Sequence, residues 1–106
     1  MMQRTAVLTA ALIALAAPVM ADDEQVLQIK QAFEPATLTV ATGASVVFVN
    51  ADDVNHNLQQ TTPEGAKTDL GVSKPGETMT MKFATAGVYL VNCQIHPRMK
   101  MEITAK

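Results

Sequence analysis

The amino-acid sequence predicts an all-β fold, an antiparallel β-sandwich, because apolar and polar residues alternate in short runs and turn sequences separate these runs. After the first 21 residues, short runs of alternating apolar and polar residues are separated by turn sequences such as Lys74-Pro75-Gly76-Glu77. No stretch of this region has a convincing 3.6-residue period of an amphipathic helix. The chain has 106 residues, enough for one ordinary domain. We therefore expect a single sandwich around one modest core.

The first 21 residues, MMQRTAVLTAALIALAAPVMA, have the pattern of a cleavable secretory signal peptide. Arg4 provides the positively charged start, Ala6–Ala17 form a short apolar helix-forming run, and Ala21 offers a small residue at the cleavage point. This run is shorter than the ~20 apolar residues that span a bilayer. We predict a signal-peptide helix within 1–21 and a mature exported domain over 22–106.

Seven segments of the mature domain are expected to form strands. They alternate between apolar and polar positions or are rich in β-branched and aromatic residues. Between them, Gly and Pro supply the backbone conformations that turns require. Many short strands at regular spacing are typical of a sandwich. In chain order the predicted strands are Gln25–Ile29, Thr37–Val40, Ser45–Val49, a segment around His56–Leu58, Thr78–Phe83, Val88–Asn92 and Met101–Thr104.

Charge and cysteine content exclude several classes of protein. The formal net charge is -2, with 8 basic and 10 acidic residues, which does not indicate a nucleic-acid partner. A single cysteine excludes a disulfide framework and a cysteine-rich structural zinc site. In an oxidising compartment a lone thiol is a liability unless it is buried or binds a metal. We expect a monomer that is not attached to a membrane in its mature form.

The segment that carries chemistry is Asn92-Cys93-Gln94-Ile95-His96-Pro97-Arg98-Met99. Residues three apart on a strand face opposite sides, so Cys93 and His96 cannot meet on one strand. The chain must leave the strand after Cys93, and Pro97 favours this because it lacks a ladder donor. A tight loop can then direct Cys93, His96 and Met99 to a common centre. His56, the only other histidine, is the candidate for completing that centre.

A thiolate, two imidazoles and a weak axial thioether form the ligand set of electron-transfer copper sites. Such a ligand set is intermediate between the preferences of Cu(I) and Cu(II), so the site changes little when an electron arrives. It also leaves no open coordination position for a substrate, which favours an electron carrier over an enzyme. The alternative for Cys93 is a small buried hydrophobic residue without metal. All histidines and the only cysteine fall into this one pattern, which favours copper, one ion per chain.

The sequence resembles the cupredoxins, the type I blue copper proteins, and is similar to amicyanin-like and plastocyanin-like members. The resemblance covers nearly all of 25–106, and its most specific part is the Cys93–His96–Met99 spacing. Other matching segments are Phe33-Glu34-Pro35, Gly43, Val47-Phe48-Val49-Asn50, His56-Asn57, Lys74-Pro75-Gly76-Glu77, Phe83 and Gly87-Val88-Tyr89.

The resemblance implies a Greek-key sandwich of eight strands and a periplasmic type I copper electron carrier. It implies His56, Cys93 and His96 as equatorial ligands, with Asn57 joining the His56 and Cys93 loops through hydrogen bonds. Two methionines compete for the axial position: Met99 matches the amicyanin spacing and is favoured, and Met101 matches the plastocyanin spacing.

The carrier hypothesis also predicts a docking surface. His96 would present its ring edge to partners, with Ile95, Pro97 and Met99 forming a small apolar patch around it. Redox proteins such as a cytochrome c or a dehydrogenase would dock there transiently, and Arg98 and Lys100 favour an acidic partner.

Two alternatives remain open. One is a periplasmic protein that sequesters or delivers copper with the same ligands, and the other is a metal-free binding module. Asp52-Asp53 is expected to lie in a surface turn, with steering of a cationic partner as the less favoured alternative.

Overall fold

The computed structural model describes residues 24–106, and it folds them into nine β-strands. The predicted signal peptide, 1–21, lies outside the described residues. Within the described part, no helix has the length and apolar character needed to cross a membrane. The strands are β1 (Glu24–Ile29), β2 (Ala32–Glu34), β3 (Thr37–Val40), β4 (Ser45–Asn50), β5 (His56–Thr61), β6 (Lys67–Ser73), β7 (Thr78–Lys82), β8 (Gly87–Asn92) and β9 (Lys100–Ala105).

The nine strands form two sheets, which confirms the predicted all-β Greek-key sandwich, with one strand more than the eight that the resemblance implies. One sheet has the order β2-β1-β4-β7 and the other has the order β3-β9-β8-β5-β6. Most neighbours run antiparallel, but β1 pairs with β4 and β3 pairs with β9 in parallel. The sheets are therefore mixed, and not purely antiparallel as the sequence predicted, because each contains one parallel pair.

The core consists of the inward-facing apolar residues of strands in which apolar and polar residues alternate. In β4, Val46 and Phe48 point inward and are fully buried. The Phe48 ring packs edge-to-face on Phe33, with the ring centroids 6.1 Å apart, and Phe83 packs in the same way on Tyr89 at 4.9 Å. Burying one large apolar side chain contributes roughly 1.5–3 kcal/mol. The Phe33–Phe48 pair thus packs within the four-stranded sheet, while the Phe83–Tyr89 pair joins the end of β7 to β8 of the other sheet.

Two strands were not predicted from the sequence. β2 has only three residues and follows a tight turn in which Lys30 and Gln31 adopt positive φ angles of 53° and 56°. β6 is mostly polar and lies at the edge of its sheet, so only its last residue, Ser73, is buried. Neither strand has an alternating apolar face, because neither contributes a full inner row to the core.

The topology brings three distant segments together at one end of the sandwich. β5 begins at His56 next to the end of β6, because His56 pairs with Ser73. β8 ends at Asn92, which pairs with Gln59 of β5 and with Lys100 of β9. The loop between β8 and β9 therefore lies beside the start of β5, and this juxtaposition positions the candidate site.

Candidate metal centre

Three side chains with metal-ligating atoms meet at this end of the sandwich. His56, Cys93 and His96 each direct one such atom to a common point, and these atoms lie within 4.8 Å of one another. The two Nδ1 atoms of the histidines are 3.0 Å apart. The Sγ atom of Cys93 lies 3.8 Å from Nδ1 of His56 and 3.7 Å from Nδ1 of His96.

These separations fit a single bound cation. A metal bound about 2.0 Å from each imidazole nitrogen and about 2.3 Å from a thiolate sulfur would hold N and S about 3.7 Å apart at N–metal–S angles of about 120°, and would hold the two N atoms about 3 Å apart at an N–metal–N angle of about 100°. Two imidazole nitrogens 3.0 Å apart require a proton or a cation between them. A soft thiolate combined with imidazoles suits copper. The donor set and its spacing thus both fit a copper ion.

The hydrogen bonds around Cys93 stabilise its sulfur as an acceptor. The side chain is fully buried, and its Sγ atom accepts a hydrogen bond from the backbone N–H of Asn57 at 3.4 Å. Backbone bonds also close the loop that follows: the N–H of Cys93 donates to the carbonyl of Met99 at 3.0 Å, and the N–H of Met99 donates to the carbonyl of His96 at 2.9 Å. The loop from 93 to 99 is therefore a compact turn.

Asn57 joins the start of β5 to the Cys93 loop through its side chain. Its Oδ1 atom accepts a hydrogen bond from the backbone N–H of Gln94. Its Nδ2 group donates to Oε1 of Gln94 at 3.3 Å and to Oδ1 of Asp69 at 3.1 Å. The asparagine is nearly buried, so these bonds hold the two segments in a fixed relation with little competition from water.

The two candidate axial methionines occupy different positions. Met99 lies in the turn that contains His96, immediately before β9, and it is buried. Met101 lies within β9 opposite Val91 and shares the inward face of that strand with Ile103. Both side chains belong to the buried core, but Met99 is part of the loop that carries Cys93 and His96, while Met101 is part of β9.

Asp52 is a functional candidate that the sequence analysis missed. It was expected to be solvated, but its side chain is only 11% exposed, and its Oδ2 atom lies 2.9 Å from Nε2 of His56. The backbone N–H of Gln31 donates to the same oxygen at 2.9 Å. The hydrogen bond from Gln31, followed by that from His56, holds the pKa of Asp52 below its usual value. The segment from Asp52 to His56 is not helical, so the four-residue spacing gave no signal of this contact.

The surface next to the site is partly apolar and partly basic. The half-buried His96 borders a shallow depression, and Ile95 beside it is 49% exposed. Met99 was expected to be part of the apolar patch here, but this is wrong, since its side chain is 1% exposed and faces inward. The depression is lined by Lys30, Gln31, Ile95, His96, Pro97 and Arg98.

A buried thiol facing two imidazoles at one end of a β-sandwich is the arrangement of a mononuclear copper protein. The family model for copper binding proteins of the plastocyanin/azurin type matches residues 21–106. The chain belongs to the plastocyanin/azurin family of copper-binding proteins, which confirms the cupredoxin resemblance and copper as the cofactor. It is therefore a copper protein of the electron-transfer class and not an enzyme.

Individual relatives agree with this assignment. A candidate pseudoazurin from Rhizobium leguminosarum bv. viciae is 40% identical over 105 residues, which cover 90% of this chain and 66% of that protein. The methylamine utilization protein MauL from Methylorubrum extorquens is 33% identical over 104 residues, which cover 96% of this chain and 91% of that protein. The chain thus spans just under two thirds of the first relative and most of the second.

Solved structures of amicyanin variants share the fold. A reduced variant superposes with a TM-score of 0.72 at 26% identity, and the match covers 82% of this chain and 86% of that one. A Cu(I) variant superposes with a TM-score of 0.74 at 24% identity, covering 83% and 86%.

Proposed function

We propose that this protein is a soluble periplasmic carrier of single electrons, with His56, Cys93 and His96 as equatorial copper ligands and Met99 as the axial ligand. Copper bound there would supply the Cu(I)/Cu(II) couple. The observation that carries the proposal is the convergence of the three donor atoms within 4.8 Å, on a scaffold that holds them through hydrogen bonds.

A carrier needs ligands that move little when the charge at the site changes. His56 is fully buried at the start of a paired strand, and Cys93 is fixed by hydrogen bonds from Asn57 and to Met99. Ligand positions that the fold imposes keep the rearrangement between the two oxidation states small, which is a form of preorganisation. The rigidity of the site therefore favours electron transfer over delivery of copper, which requires the ligands to open.

The route for electrons would be the exposed edge of the His96 ring. His96 is the half-buried member of the three ligands, and the exposed side chains of Ile95 and Pro97 flank it. A small apolar surface supports the weak, short-lived contacts of electron-transfer complexes. A partner protein would reach the site most closely here.

The charge around this surface indicates the kind of partner. Arg98 and Lys100 are exposed beside the patch, and the structure adds Lys30 across the depression. Basic groups at the rim attract a partner with acidic groups around its own redox centre, and salt weakens this attraction. We therefore propose a redox protein with an acidic docking face, of the cytochrome c or dehydrogenase kind.

Adding Cu(II) to the purified domain 22–106 tests the copper ligation directly. We expect an intense visible thiolate-to-copper charge-transfer band with one ion bound per chain. Cys93→Ser should abolish the band while leaving the sandwich folded by circular dichroism. A wild-type protein that stays colourless with a free Cys93 thiol would contradict the carrier proposal.

Copper exchange separates the carrier from a copper-delivery protein. Reduced and oxidised molecules of the copper-loaded protein should exchange electrons quickly with each other. The loaded protein should also retain its copper when it is mixed with a copper-free acceptor. Slow electron self-exchange together with rapid transfer of copper would support delivery instead.

The cellular location has its own test. The full chain, expressed with residues 1–21, should be recovered from the periplasmic fraction with a new N-terminus at residue 22. A variant with Ala21→Leu should accumulate in uncleaved form. Recovery of the uncleaved full-length wild-type chain in the cytoplasmic fraction would contradict the location.

A further inference from the structure

One carboxylate contacts the candidate copper site from behind the His56 ring. Asp52 follows β4, and its Oδ2 atom lies 2.9 Å from Nε2 of His56. Through the same oxygen it accepts the backbone N–H of Gln31 at 2.9 Å, and its Oδ1 atom accepts the backbone N–H of Asp53 at 3.2 Å. The carboxylate is thus held by donors on both oxygens.

The contact determines which nitrogen of His56 carries the proton. An ionised carboxylate can only accept hydrogen bonds, so Nε2 must be the donor in this pair. In the neutral ring the lone pair then lies on Nδ1. That is the atom that faces Cys93 and His96. Asp52 therefore selects the tautomer in which His56 can bind a cation at the common point.

The segment that carries Asp52 is itself fixed to the sandwich. The buried Asn50 side chain donates hydrogen bonds to the carbonyls of Val54 at 3.0 Å and Ser73 at 2.8 Å. Its Oδ1 atom accepts the backbone N–H of Asp52 at 2.9 Å. These bonds attach the residues between β4 and β5 to the end of β6. The carboxylate is therefore positioned by buried contacts, unlike a mobile surface acid.

We propose that Asp52 is a positioning residue for the copper centre, holding His56 in the ligating tautomer and making its ring more electron-donating. The proposal rests on the proposed function, in which His56 is a copper ligand. A hydrogen-bonded carboxylate makes a ligating imidazole a stronger donor. Its negative charge, one ring away from the cation, stabilises Cu(II) more than Cu(I). The carboxylate thereby favours the oxidised form.

The matched substitutions are Asp52→Asn and Asp53→Asn. Each removes one carboxylate charge with almost no change in volume, and Asp53 is the exposed neighbour that interacts with Asp52 only through its backbone N–H. The amide oxygen that Asp52→Asn introduces can still accept the His56 N–H, so this substitution removes the charge and keeps the hydrogen bond. Mutation of a residue that hydrogen-bonds a ligating histidine commonly costs about 10–100-fold in metal affinity. We expect Asp52→Asn to lose at least about tenfold in Cu(II) affinity relative to Cu(I), which for one electron is a rise of about 59 mV in reduction potential.

The reduction potential and the two copper affinities are measured on the loaded domain 22–106, with chelator competition for each oxidation state. The shift in Asp52→Asn should persist at high salt because the contact is largely shielded from solvent, while Asp53→Asn should shift little and lose its shift as salt is added. In the copper-free protein, ¹⁵N NMR should show His56 protonated at Nε2, and Asp52→Ala should reduce the population of this tautomer.

The outcomes separate the two proposals. If wild type shows no thiolate-to-copper band, the proposed function fails. If the band is normal but Asp52→Asn shifts the potential no more than Asp53→Asn, or if His56 is protonated at Nδ1 in the wild-type apoprotein, the positioning role of Asp52 is wrong and the carrier function stands. Asp52→Glu keeps the carboxylate charge, so its reduction potential should lie closer to the wild-type value than that of Asp52→Asn.

Discussion

The Nδ1 atoms of His56 and His96 face each other at 3.0 Å although the two residues are 40 positions apart in the sequence. The rings meet edge-to-face, with an interplanar angle of 67°. His56 is fully buried and His96 is half-buried. One histidine is thus an internal group and the other lies at the boundary with solvent, and this difference leads to the first prediction.

Replacing each histidine with glycine should have different consequences for rescue by free imidazole. In His96→Gly the missing ring leaves a space that opens to the surface, so added imidazole should enter and restore the charge-transfer band. In His56→Gly the space is enclosed by the fold, so imidazole should restore little. Titration of both copper-loaded variants with imidazole, followed in the visible spectrum, makes the comparison. Equal rescue would contradict the assigned burial.

Asn57→Ala should destabilise the fold because it removes the hydrogen bonds between β5 and the Cys93 loop. The backbone N–H of Gln94 would lose its acceptor in a partly buried hydrogen bond, and a hydrogen bond of this kind contributes about 0.5–1.5 kcal/mol to stability. Urea unfolding of the copper-free domain should show a decrease of this size in the free energy of unfolding. Asn55→Ala, at an exposed position, is the control and should change it by less than about 0.5 kcal/mol.

The two methionines should respond differently to leucine. Met99→Leu removes the proposed axial thioether, so it should change the visible spectrum and raise the reduction potential. Met101→Leu is a change of similar volume in the core, and it should leave both properties nearly unchanged at a cost below about 1.5 kcal/mol in stability. The reverse pattern would assign the axial position to Met101.

The basic rim should control reaction with charged redox reagents. Arg98→Gln should slow the oxidation of the reduced protein by the anion hexacyanoferrate(III) and weaken the salt dependence of the rate, because a rim charge acts mainly on association. Lys67→Gln is the control, since Lys67 begins β6 at the end opposite Ser73, which pairs with His56. Stopped-flow rates at two ionic strengths test this. An equal effect of both substitutions would mean that net charge, rather than the rim, determines the rate.

The strands with strong alternation could be predicted from the sequence because their inner residues form the core. Thr37–Val40 has the predicted bounds, and Ser45–Val49 extends by a single residue. β6 could not be predicted in this way, since an edge strand with a solvated face carries no apolar pattern. The parallel pairing of β1 with β4 was also missed, because alternation gives the face of a residue but not the partner of a strand.

The donor set of the candidate site could be recognised from residue types and spacing, while its supporting contacts could not. Cys93 and His96 lie close together in the sequence, and His56 was the only further histidine. Asp52 was expected in solvent because acidic residues after a strand ordinarily are. Its contact with His56 depends on the path of the segment between β4 and β5, which the buried Asn50 side chain fixes. Contacts of this kind depend on tertiary structure rather than on local pattern.

The compact turn from 93 to 99 has a consequence for how such proteins diversify. Its two ends are hydrogen-bonded to each other, with Cys93 donating to the Met99 carbonyl, directly before the strand that begins at Lys100. Residues inserted or exchanged within the turn would alter the reach and angle of its side chains while the paired strands on either side kept their register. Related proteins could thus acquire new electrochemical properties through a few substitutions in this turn, while the fold of the sandwich stayed the same.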